Sequence, residues 1–296
     1  MNPATSSAAA RFGATGLVTL GLVCQELGAA IAVTLFPAVG ATGMVLFRLA
    51  FAAIILLLVF RPSLRGRARG DWMTVIAFGL ILAAMNGLFY ASLISLPLGI
   101  AVTIEFLGPL ILSVALSRRA SAWLCALLAL GGVVLLGLVG SAHRFSLVGA
   151  AFAIGAGCMW ACYILLSART GQRFSRLDGI AIATSVGAIV IAPIGIITAG
   201  VALLKPLDLA LGLAVAVLSA AIPYGLELIS LRRLPAATFS ILVSLAPAIA
   251  ALAGLVILGQ HLEFLGAVGI GCVVVASIGA VLAAPRARLE PSRSMT

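Results

Sequence analysis

The chain is a series of long apolar runs separated by short polar connectors that carry most of its arginines. The runs fall at 13–33, 40–60, 72–94, 98–116, 121–139, 147–166, 178–200, 208–230, 236–257 and 264–283. Each approaches the roughly 20 residues that an α-helix needs to cross the hydrocarbon of a bilayer. Lipid offers no partner to a bare N–H or C=O, so a lone run of this length spans as a helix. The pattern predicts an all-α membrane protein with ten transmembrane helices. Two boundaries rest on proline: Pro97 and Pro235 each stand where a helix can begin without needing their missing N–H.

Arginine and lysine set the expected orientation. With the N-terminus inside, the inner segments hold Arg11, Arg61, Arg65, Arg67, Arg69, Arg118, Arg119, Arg169, Arg173, Arg176, Arg232, Arg233, Arg286, Arg288 and Arg293. The outer connectors hold Arg144 and Lys205, while Arg48 falls within a span. Fifteen against two follows the positive-inside rule and predicts both termini in the cytoplasm.

The two halves repeat. Pro97 and Pro109 are 12 residues apart, as are Pro235 and Pro247, and the same offset of 138 lays Gly131 on Gly269. The text SLPLGIAVTIEFLGPLIL compares with RLPAATFSILVSLAPAIA. Five spans per half is an odd number, so the halves insert with opposite topology. That predicts two inverted five-helix repeats, 12–140 and 147–283, with a cytoplasmic tail at 284–296. Inverted repeats mark carriers whose substrate site lies near the midplane. Pro109 and Pro247 sit deep in matching helices, where each removes a backbone donor. A hinge and a fixed bend both fit that placement. Glycines such as Gly266 and Gly269 are read as points of close helix approach.

Composition narrows the class. Hydrophobic residues make up 63% and charged residues 9% of the 296, with a mean hydropathy of +1.28, too little charge to cover a water-soluble surface. The net charge of +10 would suggest nucleic acid in a soluble protein. Here it sits in connectors facing lipid headgroups, so membrane lipid and no nucleic acid is the expected partner. Cys24, Cys125, Cys158, Cys162 and Cys272 all lie within apolar runs and read as small filler, with no metal site or cofactor expected. The stretch MNPATSSAAARFGATG carries one Arg and no convincing cleavage site before a run of full spanning length. It is read as leading into a retained first span.

Ionisable groups within the hydrocarbon are costly and mark candidate sites. Four qualify: Glu26, Arg48, Glu105 and Glu227. Helical rise places Arg48 and Glu105 each roughly 12 Å below the outer boundary, and Glu26 reaches a similar level. Three charges at one depth predict a shared polar cavity. A Glu26–Arg48 ion pair, made only for folding, is the plainer alternative for those two. Glu105 has no evident cation of its own and reads as a carboxyl able to load and release a proton. Val243 stands at its repeat equivalent, so the fold does not require an acid there. Glu227, close to Arg232, reads more simply as a snorkelled pair. Asn86 with Tyr90, Trp160 with Tyr163, and Tyr224 with Glu227 share helix faces and complete the candidate list. Tyr90 and Tyr224, near span ends, also suit the role of interface anchors.

The segment NGLFYASLISLPLGIAVTIEFLGPLILSVALSRR, residues 86–119, resembles the corresponding stretch of the threonine/homoserine exporters of bacterial inner membranes. These belong to the drug/metabolite transporter superfamily, with two EamA-type repeats. The second half agrees through GAGCMWACYILLSARTG at 155–171 and IPYGLELISLRRLPAATFSILVSLAPAIAALAGLVILGQ at 222–260. The resemblance implies ten spans, cytoplasmic termini, and proton-driven efflux of amino acids or related metabolites, with Glu105 on the acid of a PLGIAV-x-x-E-F segment. Where the family often carries Glu, this chain has Ala246 and Gln260. The first leaves one acid fewer for proton coupling.

The expected function is therefore secondary export of a small-molecule substrate, an amino acid or its like, with protons as the coupling ion. A carrier of the same superfamily for a drug, a purine-like compound or an imported solute is the open alternative, and a homodimer is left open. An intramembrane enzyme is disfavoured: His143 and His261 fall in connectors, and no HExxH occurs. No G-x-x-x-x-G-K-[ST] loop is present to drive pumping by ATP.

Overall fold

The structure, a computed structural model, describes residues 3–64, 66–117, 120–139, 146–174, 178–223, 226 and 236–283. Among them the elements are helices: α1 (Pro3–Thr34), α2 (Phe36–Phe60), α3 (Arg69–Ser92), α4 (Leu98–Glu105), α5 (Leu107–Ser117), α6 (Ala120–Val139), α7 (Leu147–Arg173), α8 (Asp178–Ala199), α9 (Pro206–Ala216), α10 (Ala236–Val243), α11 (Ala246–Leu258) and α12 (Phe264–Ala283). A 3-10 turn, Gly200–Leu204, precedes α9, and a π-turn, Val217–Ala221, continues it. Seven stretches within the described residues are long and apolar enough to cross a membrane. Leu98–Leu112, Trp123–Leu136 and Pro206–Ala221 are shorter apolar helices.

Burial runs opposite to that of a water-soluble protein. Leu58, Leu124, Ile197, Val256 and Phe264 lie exposed on the outside. Glu26, Asn86, Thr103, Glu105 and Ser219 are buried within. Lipid explains both, because it solvates leucine well and a carboxylate poorly.

The principal packing joins early helices to late ones: α2 on α8, α3 on α7 and α8, α6 on α12, and α1 and α4 on α11. Small residues permit the closest approaches. A Cβ on Gly79 would lie 2.6 Å from the Ala183 carbonyl oxygen, and one on Gly132 the same distance from that of Gly269. This is the close helix approach expected of the glycines.

Three local features depart from the apolar pattern. The connector expected near 34–39 is reduced to Leu35, because Pro37 starts α2 early and Gly40, at φ 71°, bends the helix instead. Helix α7 runs on to Arg173, past the end of its apolar run at 166, as long basic side chains at a helix end can reach out of the oil. The fourth and ninth apolar runs are each split, at Phe106 and at Ser244–Leu245. Each break lies just before a proline, Pro109 or Pro247. Proline lacks the N–H for the carbonyl four residues back, and its ring crowds that oxygen.

Candidate functional site

Both half-helix ends face one chamber. Glu105 closes α4, and Val243, its equivalent at the offset of 138, closes α10; both line a cavity of about 470 Å³ at the centre of the bundle. The proline four residues on denies each of these two residues' carbonyls its usual helical donor. On the Glu105 side, Gly157 of α7 presses against that carbonyl, where a Cβ would lie 2.6 Å from the oxygen. Glycine at 157 thus allows α7 to back the break.

The chamber gathers most of the expected polar groups. Glu26 from α1, Arg48 from α2, Asn86 from α3, Glu105 from α4, and Trp160 and Tyr163 from α7 all line it. Glu26 and Asn86 are almost fully buried, 3% and 4% exposed. The residues that helical rise sets at one depth thus line one cavity. A volume of this size falls in the range typical of small-molecule sites.

Arg48 is held from two sides. Its Nη1 donates to Tyr90 Oη at 3.3 Å and its Nη2 to the Ser219 carbonyl at 3.4 Å. The guanidinium carbon also lies 5.7 Å from the centroid of the Tyr90 ring. Ser219 belongs to the π-turn of the α9 segment, a local widening that frequently accompanies functional sites. Tyr90 is wholly buried, packed against Phe36 and Phe89, and stands behind the wall rather than at a membrane interface. Its place near a span end had suited an interface anchor; the Arg48 contact accounts for its burial instead.

The remaining polar groups are partly committed. Asn86 donates from Nδ2 to the Leu82 carbonyl at 2.8 Å, leaving an acceptor and a second amide hydrogen in its inventory. Trp160 meets Phe106 edge-on at 5.0 Å, and Tyr163 packs on Phe78 at 5.1 Å, so both aromatics are fixed by neighbours. Tyr224 and Glu227 lie outside the described residues. Pro109 and Pro247 flank the breaks, and Ala246 lines the chamber itself.

Sequence reasoning passed over Gln25, Thr184, Ser219 and Ser240, which also line the chamber. Serine and threonine are common in membrane helices and satisfy themselves locally, as Thr184 does by donating to the Ile180 carbonyl at 2.7 Å. Only the π-turn distinguishes Ser219, and that turn has no simple sequence signature.

Gln260 explains one departure from the family pattern. Its Oε1 accepts from the Leu98 N–H at 2.9 Å, capping the start of α4. A glutamine supplies that acceptor as well as a carboxylate would.

Comparison with known proteins agrees with this architecture. Residues 147–282 match the EamA-like transporter family. The threonine/homoserine exporter RhtA of Salmonella typhimurium strain LT2 is 42% identical over 261 residues, covering 87% of each chain. The exporter of the same name from Escherichia coli K12 is 41% identical over 267 residues, covering 90% of each. A solved crystal structure is similar with a TM-score of 0.58 at 21% identity, over 95% of this chain and 99% of its own, a likeness of fold alone. With an apolar exterior, an inner cavity that collects buried charged side chains and relatives this similar over most of its length, the chain is a multi-pass membrane protein that belongs to the RhtA-like transporters of the drug/metabolite transporter superfamily.

Proposed function

We propose that this protein is a secondary exporter of threonine- and homoserine-like amino acids from the bacterial cytoplasm across the inner membrane, driven by proton antiport through Glu105. The observation that carries the reading is the convergence of Glu26, Arg48 and Glu105 on one buried chamber. The names of the RhtA relatives supply the substrate class.

The proposed topology is ten spans in two inverted repeats, 12–140 and 147–283, with both termini and the 284–296 tail cytoplasmic. Seven full-length apolar helices and three shorter ones support the count. Pairing of α2 with α8 and α6 with α12, equivalent members of the two halves, supports the repeat. The breaks beside Pro109 and Pro247 then serve as hinges for alternating access. A ligand shifts such an equilibrium only through different affinity for its two states. Glu105 offers that difference, because protonation removes its charge. The acid loads a proton outside, resets the empty carrier, and releases the proton inside as substrate enters.

Uptake of labelled threonine by everted vesicles under an imposed, inside-acid gradient tests this. Wild-type uptake should depend on the gradient, while Glu105→Gln should move substrate only down its own concentration gradient. Unchanged pH dependence in that variant would overturn the coupling assignment.

A further inference from the structure

Four helices, two from each half of the chain, are tied together from one end to the other. Toward the outer end of α2 and α8, Thr42 and Thr198 share a hydrogen bond at 2.6 Å, and a Cβ on Gly43 would lie 2.7 Å from that of Ala199. Deeper in, a Cβ on Gly187 of α8 would lie 3.2 Å from the Gly79 carbonyl oxygen of α3. Helices α3 and α7 meet through Phe78 and Tyr163, and a Cβ on Gly149 would lie 2.8 Å from Leu96 Cγ. At the inner end two arginines cross between the halves. Arg67 donates to the Arg173 carbonyl at 3.2 Å and meets Asp178, while Arg173 donates to the Gly70 carbonyl at 2.7 Å and meets Asp71. Backbones this close, with polar ties at both ends, cannot slide without losing many contacts at once.

The contact between α4 and α11 is thin by comparison. It is made by the Leu98–Gln260 bond, the approach of Gly99 to Ala251 and that of Gly254 to Leu98. About a turn further in, Val102 and Ala246 already line the chamber. Helices α4 and α11 are also the outer pieces of the two broken runs, each cut from its inner piece at Phe106 or at Ser244–Leu245. We propose that α2, α3, α7 and α8 form a fixed frame that keeps its packing throughout transport, while α4 and α11 part at Gly99 and Ala251 to open the chamber outward. The proposal rests on the export reading above and adds which helices move. Halves rocking as whole bodies would pull α2 from α8 and α3 from α7, because each pair joins one half to the other. Parting the two outer pieces gives up one turn of contact and spares the rest.

The test compares two disulfides near the same membrane face, in the purified full-length carrier in proteoliposomes, read as counterflow of labelled threonine. Thr42→Cys with Thr198→Cys staples α2 to α8. Leu98→Cys with Gly254→Cys staples α4 to α11, where the two Cβ atoms would lie 3.5 Å apart, within reach of a disulfide. Each variant is measured reduced and oxidised, and the parent chain with its five native cysteines is treated alike. Oxidation should leave the first staple within about twofold of its reduced flux and slow the second by more than about tenfold, reversibly with added thiol. A first staple that stops flux, or a second that spares it, overturns the frame while the export reading stands. Hydrogen exchange of the unaltered carrier needs no variant to fold. Adding threonine should speed exchange at 98–102 and 250–254 and leave 75–83 and 183–198 unchanged, and equal change in both sets overturns the frame as well. If the parent chain shows no threonine counterflow, the export reading falls and the proposal with it.

Discussion

The backbone N–H of Leu98 donates to the Oε1 of Gln260 at 2.9 Å, tying the first residue of α4 to the connector that follows α11. The two half-helices pack closely beneath this bond. A Cβ on Gly99 would lie 2.7 Å from that of Ala251, and one on Gly254 would lie 2.6 Å from Gln260 Oε1. The bond thus ties α4 to α11 at the end that the proposed topology places outside.

Gln260→Leu should destabilise the carrier by about 1 kcal/mol, because it leaves a helix-start N–H without its acceptor. Gln260→Glu retains an oxygen in the same place and should stay close to wild type. Thermal unfolding in detergent compares them. Equal midpoints for Gln260→Leu and wild type would show that the bond contributes nothing to stability.

Gly157 and Gly131 should respond oppositely to alanine. At 157 the methyl meets the Glu105 carbonyl oxygen at 2.6 Å, with backbone on both sides. Something must shift, at a cost of about 1–3 kcal/mol, and the Glu105 side chain moves with it. At 131, within α6, nothing lies within 4 Å of the built Cβ. Alanine is there the better helix former by up to about 1 kcal/mol. Melting temperature and threonine flux should both fall for Gly157→Ala, whereas Gly131→Ala should hold its flux and melt no lower than wild type.

Charges pair where the α2–α3 connector and the start of α3 meet the end of α7 and the start of α8. Arg67 meets Asp178 at 3.7 Å and also lies 4.6 Å over the Phe174 ring, while Arg173 meets Asp71 at 3.6 Å. The first pair is the more enclosed, with side chains 18% and 10% exposed against 44% and 24%. Asp178→Asn should therefore destabilise more than Asp71→Asn, by roughly 1–3 kcal/mol against less than about 1 kcal/mol. Raising salt should diminish the Asp71 effect and spare most of the Asp178 effect. The reverse ranking in thermal melts would deny the enclosed pair its greater weight.

Much of this architecture is written in one-dimensional pattern, and the rest depends on neighbours. Apolar run length reports the thickness of the oil, so the helices are legible before any contact is known. The shared chamber of Glu26, Arg48 and Glu105 follows from helical rise alone, since buried charges seek one another or a cavity. The role of Tyr90 does not follow. Its place near a span end suggests an interface, and only the packing of α2 against α3 brings it to Arg48. Ser219 is hidden for a similar reason: its carbonyl matters, and a carbonyl has no residue type. The breaks at Phe106 and Ser244–Leu245 stand between these cases, implied by proline yet displaced from it by a few residues.

Tyr90→Phe separates the two contacts that Tyr90 makes with Arg48. The ring remains for the guanidinium to rest on, while the acceptor at 3.3 Å is lost. A hydrogen bond from a charged donor contributes about 1.5–3 kcal/mol when buried, and this long one belongs at the lower end. The bond orients Arg48 rather than touching substrate, so the loss should appear as a several-fold rise in KM for threonine counterflow at nearly constant kcat. A Tyr90→Phe carrier with wild-type KM would mean that Tyr90 fills space behind the wall and does not align Arg48.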